Sequence, residues 1–83
     1  MKQVVYGRDA LKALSRIPVN DAKRIRAKIN QYSEDPASLS QNVVKLQGRE
    51  GYRLRVSDWR VIFAEDGTVI DVIDIGARGS IYE

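Results

Sequence analysis

The 83-residue chain contains no cysteine and no histidine. These two absences exclude a disulfide framework, a zinc site built on thiolate or imidazole, a thiol nucleophile and any Ser-His-Asp arrangement. Acid-base chemistry is left to Lys, Arg, Tyr, Asp and Glu, and neither a cofactor nor a metal is expected. Long apolar runs are missing as well. Stretches such as Val69-Ile70 and Val72-Ile73 fall far short of the roughly 20 residues that span a bilayer. Val4-Val5 is followed at once by Tyr6-Gly7-Arg8-Asp9, which is unlike a secretory signal, so a cytoplasmic protein is expected. Proline occurs only twice, at Pro18 and Pro36, and each marks a boundary.

What is present is ordinary globular composition. Hydrophobic residues make up 43% and charged residues 30% of the chain, with 14 Lys+Arg against 11 Asp+Glu. Such a length and balance predict one small domain over residues 1–83. The net charge of +3 hides an asymmetry. Residues 1–48 carry nine basic and four acidic side chains, whereas residues 49–83 carry five and seven.

Lys2 to Tyr6 is short and β-prone, and it stops at Gly7. Asp9 then reads as the N-cap of a helix with an apolar stripe at Ala10, Leu11, Leu14 and Ile17, ended by Pro18. Asn20 reads as the cap of a second helix, with Ala22, Ile25, Ile29 and Tyr32 on one face. It runs to about Ser33, because Pro36 pushes Asp35 away from helical angles. From Asn42 onward the period changes to alternation. Val43–Leu46, Tyr52–Val56, Trp59–Glu65 and Thr68–Ile75 read as strands, with two-residue turns at Ser57-Asp58 and Asp66-Gly67. The predicted fold is α+β: an N-terminal strand and a two-helix hairpin packed on a mainly antiparallel sheet of four to five strands.

Loop length sets strand register. A two-residue loop at Ser57-Asp58 places Val56 opposite Trp59, Arg55 opposite Arg60, Leu54 opposite Val61, Arg53 opposite Ile62 and Tyr52 opposite Phe63. The same arithmetic through Asp66-Gly67 places Phe63 opposite Ile70, Ile62 opposite Asp71, Val61 opposite Val72 and Arg60 opposite Ile73. One face then holds the apolar side chains, including Trp59 and Phe63, with Asp74 as its only charge. The other holds Arg53, Arg55 and Arg60 beside Ile62, Ala64, Val69, Asp71, Ile73 and Ile75. Two like charges about 5 Å apart repel by roughly 1 kcal/mol in water, so folding does not ask for Arg55 opposite Arg60. Three arginines on an otherwise apolar face point to a polyanion-binding site, although Asp71 could neutralise Arg53 across the sheet.

Four blocks in order, Lys45-Leu46-Gln47-Gly48, Tyr52-Arg53-Leu54-Arg55-Val56, Trp59-Arg60-Val61-Ile62-Phe63 and Ile75-Gly76-Ala77-Arg78 with Ile81-Tyr82, resemble those of the RelE/ParE toxins of bacterial toxin-antitoxin systems. The resemblance covers essentially the whole chain. It implies a RelE-like, microbial-ribonuclease-like fold. For the RelE branch it also implies a messenger-RNA interferase acting in the A site of the small ribosomal subunit. A ParE-like inhibitor of DNA gyrase, or a catalytically silent domain that binds RNA or antitoxin, is the alternative.

By resemblance, Arg53, Arg55, Arg60, Arg78 and Tyr82 fall on the working positions. Metal-free RNA cleavage uses the ribose 2′-hydroxyl as nucleophile and leaves a 2′,3′-cyclic phosphate with a free 5′-hydroxyl, so the protein must align groups, hold charge on the phosphorane and move protons. Arginine forks match phosphate oxygens. Arg60 and Arg78 would serve the non-bridging oxygens, Arg53 and Arg55 the phosphate and the developing 2′-oxyanion, and Tyr82 a base, the 2′-hydroxyl or the proton. Related toxins often carry Lys where this chain has Arg53 and Arg55, and His or Lys where it has Ala77. A guanidinium effectively never gives up its proton, so neither strand arginine is a base.

Lys23, Arg24, Arg26 and Lys28 crowd the second helix, either as a solvated face or as a contact for ribosomal RNA or an acidic antitoxin segment. Lys45 could approach the site from the side. Trp59 and Phe63 read as core, and Asp71 and Asp74 fall on opposite faces, against a carboxylate metal site. Glu50 reads as a loop charge. The resemblance further implies a cognate antitoxin that covers exposed sheet edges and through which operator DNA is bound.

Overall fold

Alternating strands and tight turns build one sheet, and the two prolines bound the helices that cover it. The computed structural model describes residues 2–79. In chain order the elements are β1 (Gln3–Tyr6), α1 (Arg8–Arg16), α2 (Val19–Glu34), a 3-10 helix (Pro36–Asn42), β2 (Val43–Lys45), β3 (Tyr52–Val56), β4 (Trp59–Glu65) and β5 (Val69–Ala77). The five strands form one sheet in the order β1-β5-β4-β3-β2. Only β1 and β5 run parallel; the other neighbours are antiparallel. No helix among the described residues is long and apolar enough to cross a membrane.

The helix starts differ from the sequence reading. Gly7 is the N-cap of α1, with its carbonyl accepting from the Leu11 N–H at 3.0 Å, and Asp9 lies in the first turn. There its charge complements the helix dipole without capping. Leu11 is 48% exposed and drops out of the stripe, leaving Ala10 and Leu14 buried with Ile17 packed beside them. Pro18, whose ring fixes φ, caps α2, and Asn20 lies inside that helix. The end of α2 follows expectation: Asp35 leaves helical angles at φ −147° before Pro36. The 3-10 helix that follows was not legible in the pattern, and it drives Leu39 into the core.

Ile25, Ile29 and Tyr32 of α2 meet Leu54, Val56, Val61, Phe63, Ile70, Val72 and Ile75 of the sheet in one cluster. Tyr32 and Tyr52 flank Phe63 with ring centroids at 5.1 Å and 5.5 Å. On the opposite face a smaller cluster joins Leu46, Ile62 and Ile73. Gly51 lets β2 turn into β3. It has φ 118°, and a Cβ there would lie 3.0 Å from the Phe63 carbonyl oxygen.

The β3–β4 register is the one that loop length dictates, from Tyr52 opposite Phe63 to Val56 opposite Trp59. The β4–β5 register is not. Glu65 pairs with Ile70, Ala64 with Asp71 and Phe63 with Val72, because the tight turn centres on Gly67-Thr68, one residue later than read from Asp66-Gly67. Asp66 causes the shift. Its Oδ1 accepts from the Thr68 N–H at 2.7 Å and the Val69 N–H at 2.8 Å, and these bonds hold its carboxyl below the usual carboxylate range.

An irregularity beyond Phe63 then adds one residue on β5, so Ile62 faces Asp74, Val61 faces Ile75 and Arg60 faces Gly76. The added residue swaps two side chains between faces. Ile75 joins the core, and Asp74, not Asp71, occupies the row of Arg53 and Ile62. Asp71 and Asp74 therefore share a face instead of lying on opposite ones. The same shift carries β5 on to Ala77, past the expected end at Ile75.

Candidate active site

Two residues, Ser57 and Asp58, close the β3–β4 hairpin. Ser57 has φ 54°, a conformation usually given to glycine at the first position of such a turn. Its carbonyl accepts from Arg60 Nη1 at 3.4 Å, and the Trp59 carbonyl accepts from the same atom at 3.2 Å. The Asp58 carbonyl accepts from the Arg78 N–H at 2.7 Å. The turn thus fixes a buried guanidinium from one side and the segment after β5 from the other.

Around this turn lies a polar groove of about 490 Å³ lined by Asn42, Arg55, Ser57, Asp58, Arg60 and Arg78. Arg60 is only 8% exposed, while Arg55 and Arg78 are exposed. Burying a guanidinium is costly unless its donors are met, and the turn carbonyls meet part of that need. Gly76, opposite Arg60 on β5, places no side chain beside it. Three guanidinium groups against one carboxylate make the groove cationic and suited to a phosphate.

Arg53 stands two residues from Arg55 on the same face, but it lines a neighbouring hollow of about 340 Å³ with Val44, Lys45, Leu46 and Gln47. Lys45 borders the same hollow but pairs with Tyr52, the neighbour of Arg53, so its side chain leaves the sheet on the helical face, away from Arg53 and the three groove arginines. Tyr82 lies outside the described residues. The α2 cations belong to the helical layer, across the sheet from Arg53, Arg55 and Arg60. There Arg24 pairs with Asp21 at 3.5 Å, Arg26 covers the Tyr6 ring at 4.9 Å and Lys28 meets Gln31 at 3.5 Å. Lys23 is exposed on the same helix. Trp59 packs against the core and Phe63 is buried in it. Glu50 is an exposed loop residue.

Asn42, Ser57 and Asp58 were not among the sequence candidates. Ser57 and Asp58 were readable in principle, since a two-residue loop must sit at the end of the Arg55–Arg60 ladder. Asn42 was not, because it is brought in by the 3-10 helix.

A family model for the ParE toxin of type II toxin-antitoxin systems, parDE, matches residues 4–82. The chain belongs to this family. No curated protein sequence matches it. In three dimensions the toxin is similar to a chain of the archaeal RelE-RelB complex from Pyrococcus horikoshii OT3, at 26% identity and TM-score 0.79 over 96% of this chain and 98% of that one. It is also similar to a chain of the RelBE2 toxin-antitoxin complex from Mycobacterium tuberculosis, at 16% identity and TM-score 0.78 over 93% and 98% of the two chains. A chain of the intact RelBE complex from E. coli matches at 22% identity and TM-score 0.71 over 93% and 96%. The toxin therefore has the α+β fold of the RelE/ParE superfamily: two helices on a five-stranded, mostly antiparallel sheet.

Proposed function

We propose that this toxin is a ribosome-dependent endoribonuclease that cleaves messenger RNA in the A site and so inhibits translation. The observation that carries the reading is the convergence of Arg55, Arg60 and Arg78 in one groove anchored on the Ser57-Asp58 turn. Similarity to solved RelE structures supports it.

In this reading the 2′-oxygen attacks phosphorus in line with the departing 5′-oxygen. Arg60 and Arg78 bind the non-bridging oxygens, where negative charge grows as the phosphorane forms. Arg60 is held in advance by the turn carbonyls, so it contributes with little reorganisation. Arg55 and, from the adjoining hollow, Arg53 stabilise the phosphate and the developing 2′-oxyanion. Tyr82 stacks on a base or orients the 2′-hydroxyl. The products are a 2′,3′-cyclic phosphate and a 5′-hydroxyl end.

A cognate antitoxin is the protein partner, a reading supported by relatives solved as RelE-RelB complexes. Operator DNA is reached through the antitoxin, and the site of action is the cytoplasm. The match to the ParE family favours a second reading, inhibition of DNA gyrase without RNA cleavage. Purified toxin added in parallel to programmed ribosomes and to a gyrase supercoiling assay separates the two. Cyclic-phosphate ends with unaffected supercoiling support the ribonuclease; intact message with blocked supercoiling supports the gyrase reading.

A further inference from the structure

We propose that Asp58 is the proton acceptor of the cleavage reaction, an inference that rests on the ribonuclease reading. Among the described residues lining the groove, Arg55, Arg60 and Arg78 cannot accept a proton, and Asn42 and Ser57 do not titrate in the working range. Asp58 is the remaining ionisable group there. Its backbone is fixed by the Arg78 N–H at 2.7 Å, so its carboxylate shares a frame with an arginine assigned to the scissile phosphate. Two ion pairs among the described residues, Lys2–Glu65 and Arg24–Asp21, lie away from the groove.

A carboxylate repels the phosphate that the rest of the groove attracts. Proton transfer gives that liability a use, as it would for any base placed beside a phosphodiester. The 2′-hydroxyl proton passes to the Asp58 carboxylate as the O2′–P bond forms. The P–O5′ bond breaks, the 5′-oxygen takes a proton from water, and the Asp58 carboxyl returns its own proton to water. No metal, oxidant or second substrate is needed.

The experiment is single-turnover cleavage of a programmed message on ribosomes by the full chain as a function of pH, with wild type, Asp58→Asn, Asp58→Glu and Tyr82→Phe. General-base catalysis is worth about 10²- to 10⁴-fold, so Asp58→Asn is expected to slow cleavage at least 100-fold at saturating ribosomes. Its rate should also lose the acidic limb of the wild-type pH profile, and Asp58→Glu should restore part of both. Asparagine keeps the backbone carbonyl used by Arg78, and circular dichroism checks the fold. The wild-type acidic limb is a readout that needs no variant, and its absence overturns the proposal. So does Asp58→Asn cleaving within about threefold of wild type, or the limb vanishing in Tyr82→Phe instead. A wild type that leaves the message intact overturns the ribonuclease reading itself and this inference with it.

Discussion

Arg55 and Arg60 stand directly opposite each other across the β3–β4 ladder, one exposed and the other buried. Like charges in that position oppose folding, so removing the exposed one should relieve the fold while weakening the site. Arg55→Ala is expected to leave stability unchanged or raise it by up to about 1 kcal/mol in urea denaturation. Its RNA binding should weaken and the salt dependence of log K should flatten by about 0.7, the value of one phosphate contact on a single strand. A clear loss of stability with unchanged salt dependence would contradict this account of the pair.

Ser57 occupies the left-handed region at φ 54° without being glycine. Left-handed backbone costs an L-residue roughly 1 kcal/mol. Ser57→Gly should therefore be neutral to slightly stabilising in thermal or urea unfolding, and Ser57→Val clearly destabilising. Because glycine keeps the Ser57 and Asp58 carbonyls that hold Arg60 and the Arg78 backbone, the glycine variant should keep its cleavage rate, while the valine variant should lose rate along with stability. Paired stability and cleavage measurements on the two variants check both halves.

These two positions show where sequence reading succeeds and where it fails. The opposition of Arg55 and Arg60 was legible because a two-residue loop leaves a single pairing. Across the next hairpin a one-residue displacement of the turn, imposed by the Asp66 side chain, moved every pair by two places and kept the faces. The irregularity beyond Phe63 then exchanged the faces of Asp74 and Ile75. Neither Asp66's hydrogen bonds nor the extra β5 residue leaves a mark in the hydrophobic pattern. They matter for the site, since the longer β5 is what brings Arg78 to the Asp58 carbonyl. Arg78 entered the sequence reading only through family resemblance, and Asp58 only as a turn residue.

Glu65, at the end of β4, ties α2 and the residue that precedes β1 together at the far end of the sheet. It accepts from the Tyr32 hydroxyl at 2.6 Å through Oε1 and binds Lys2 Nζ at 2.5 Å through Oε2. Burial first, then the hydrogen bond and charge of Glu65, push the Tyr32 pKa well above the ordinary tyrosine value. A group whose pKa is raised by folding contributes stability fully present below its unfolded pKa and lost as pH rises toward the folded one. Stability should thus decline above about pH 10, the unfolded tyrosine value. Burial also raises Tyr6, with Arg26 opposing, so it adds to the decline. Tyr32→Phe should be less stable at neutral pH but flatter in the alkaline range, as read by urea denaturation from pH 7 upward.

RNA cleavage by the arginine groove is tested most directly by primer extension on messenger RNA during toxin induction without antitoxin. Wild type should produce breaks within translated codons that end in 2′,3′-cyclic phosphate, and Arg60→Ala and Arg78→Ala should abolish them along with growth arrest. Growth arrest by wild type with intact messenger, unchanged by either substitution, would contradict it.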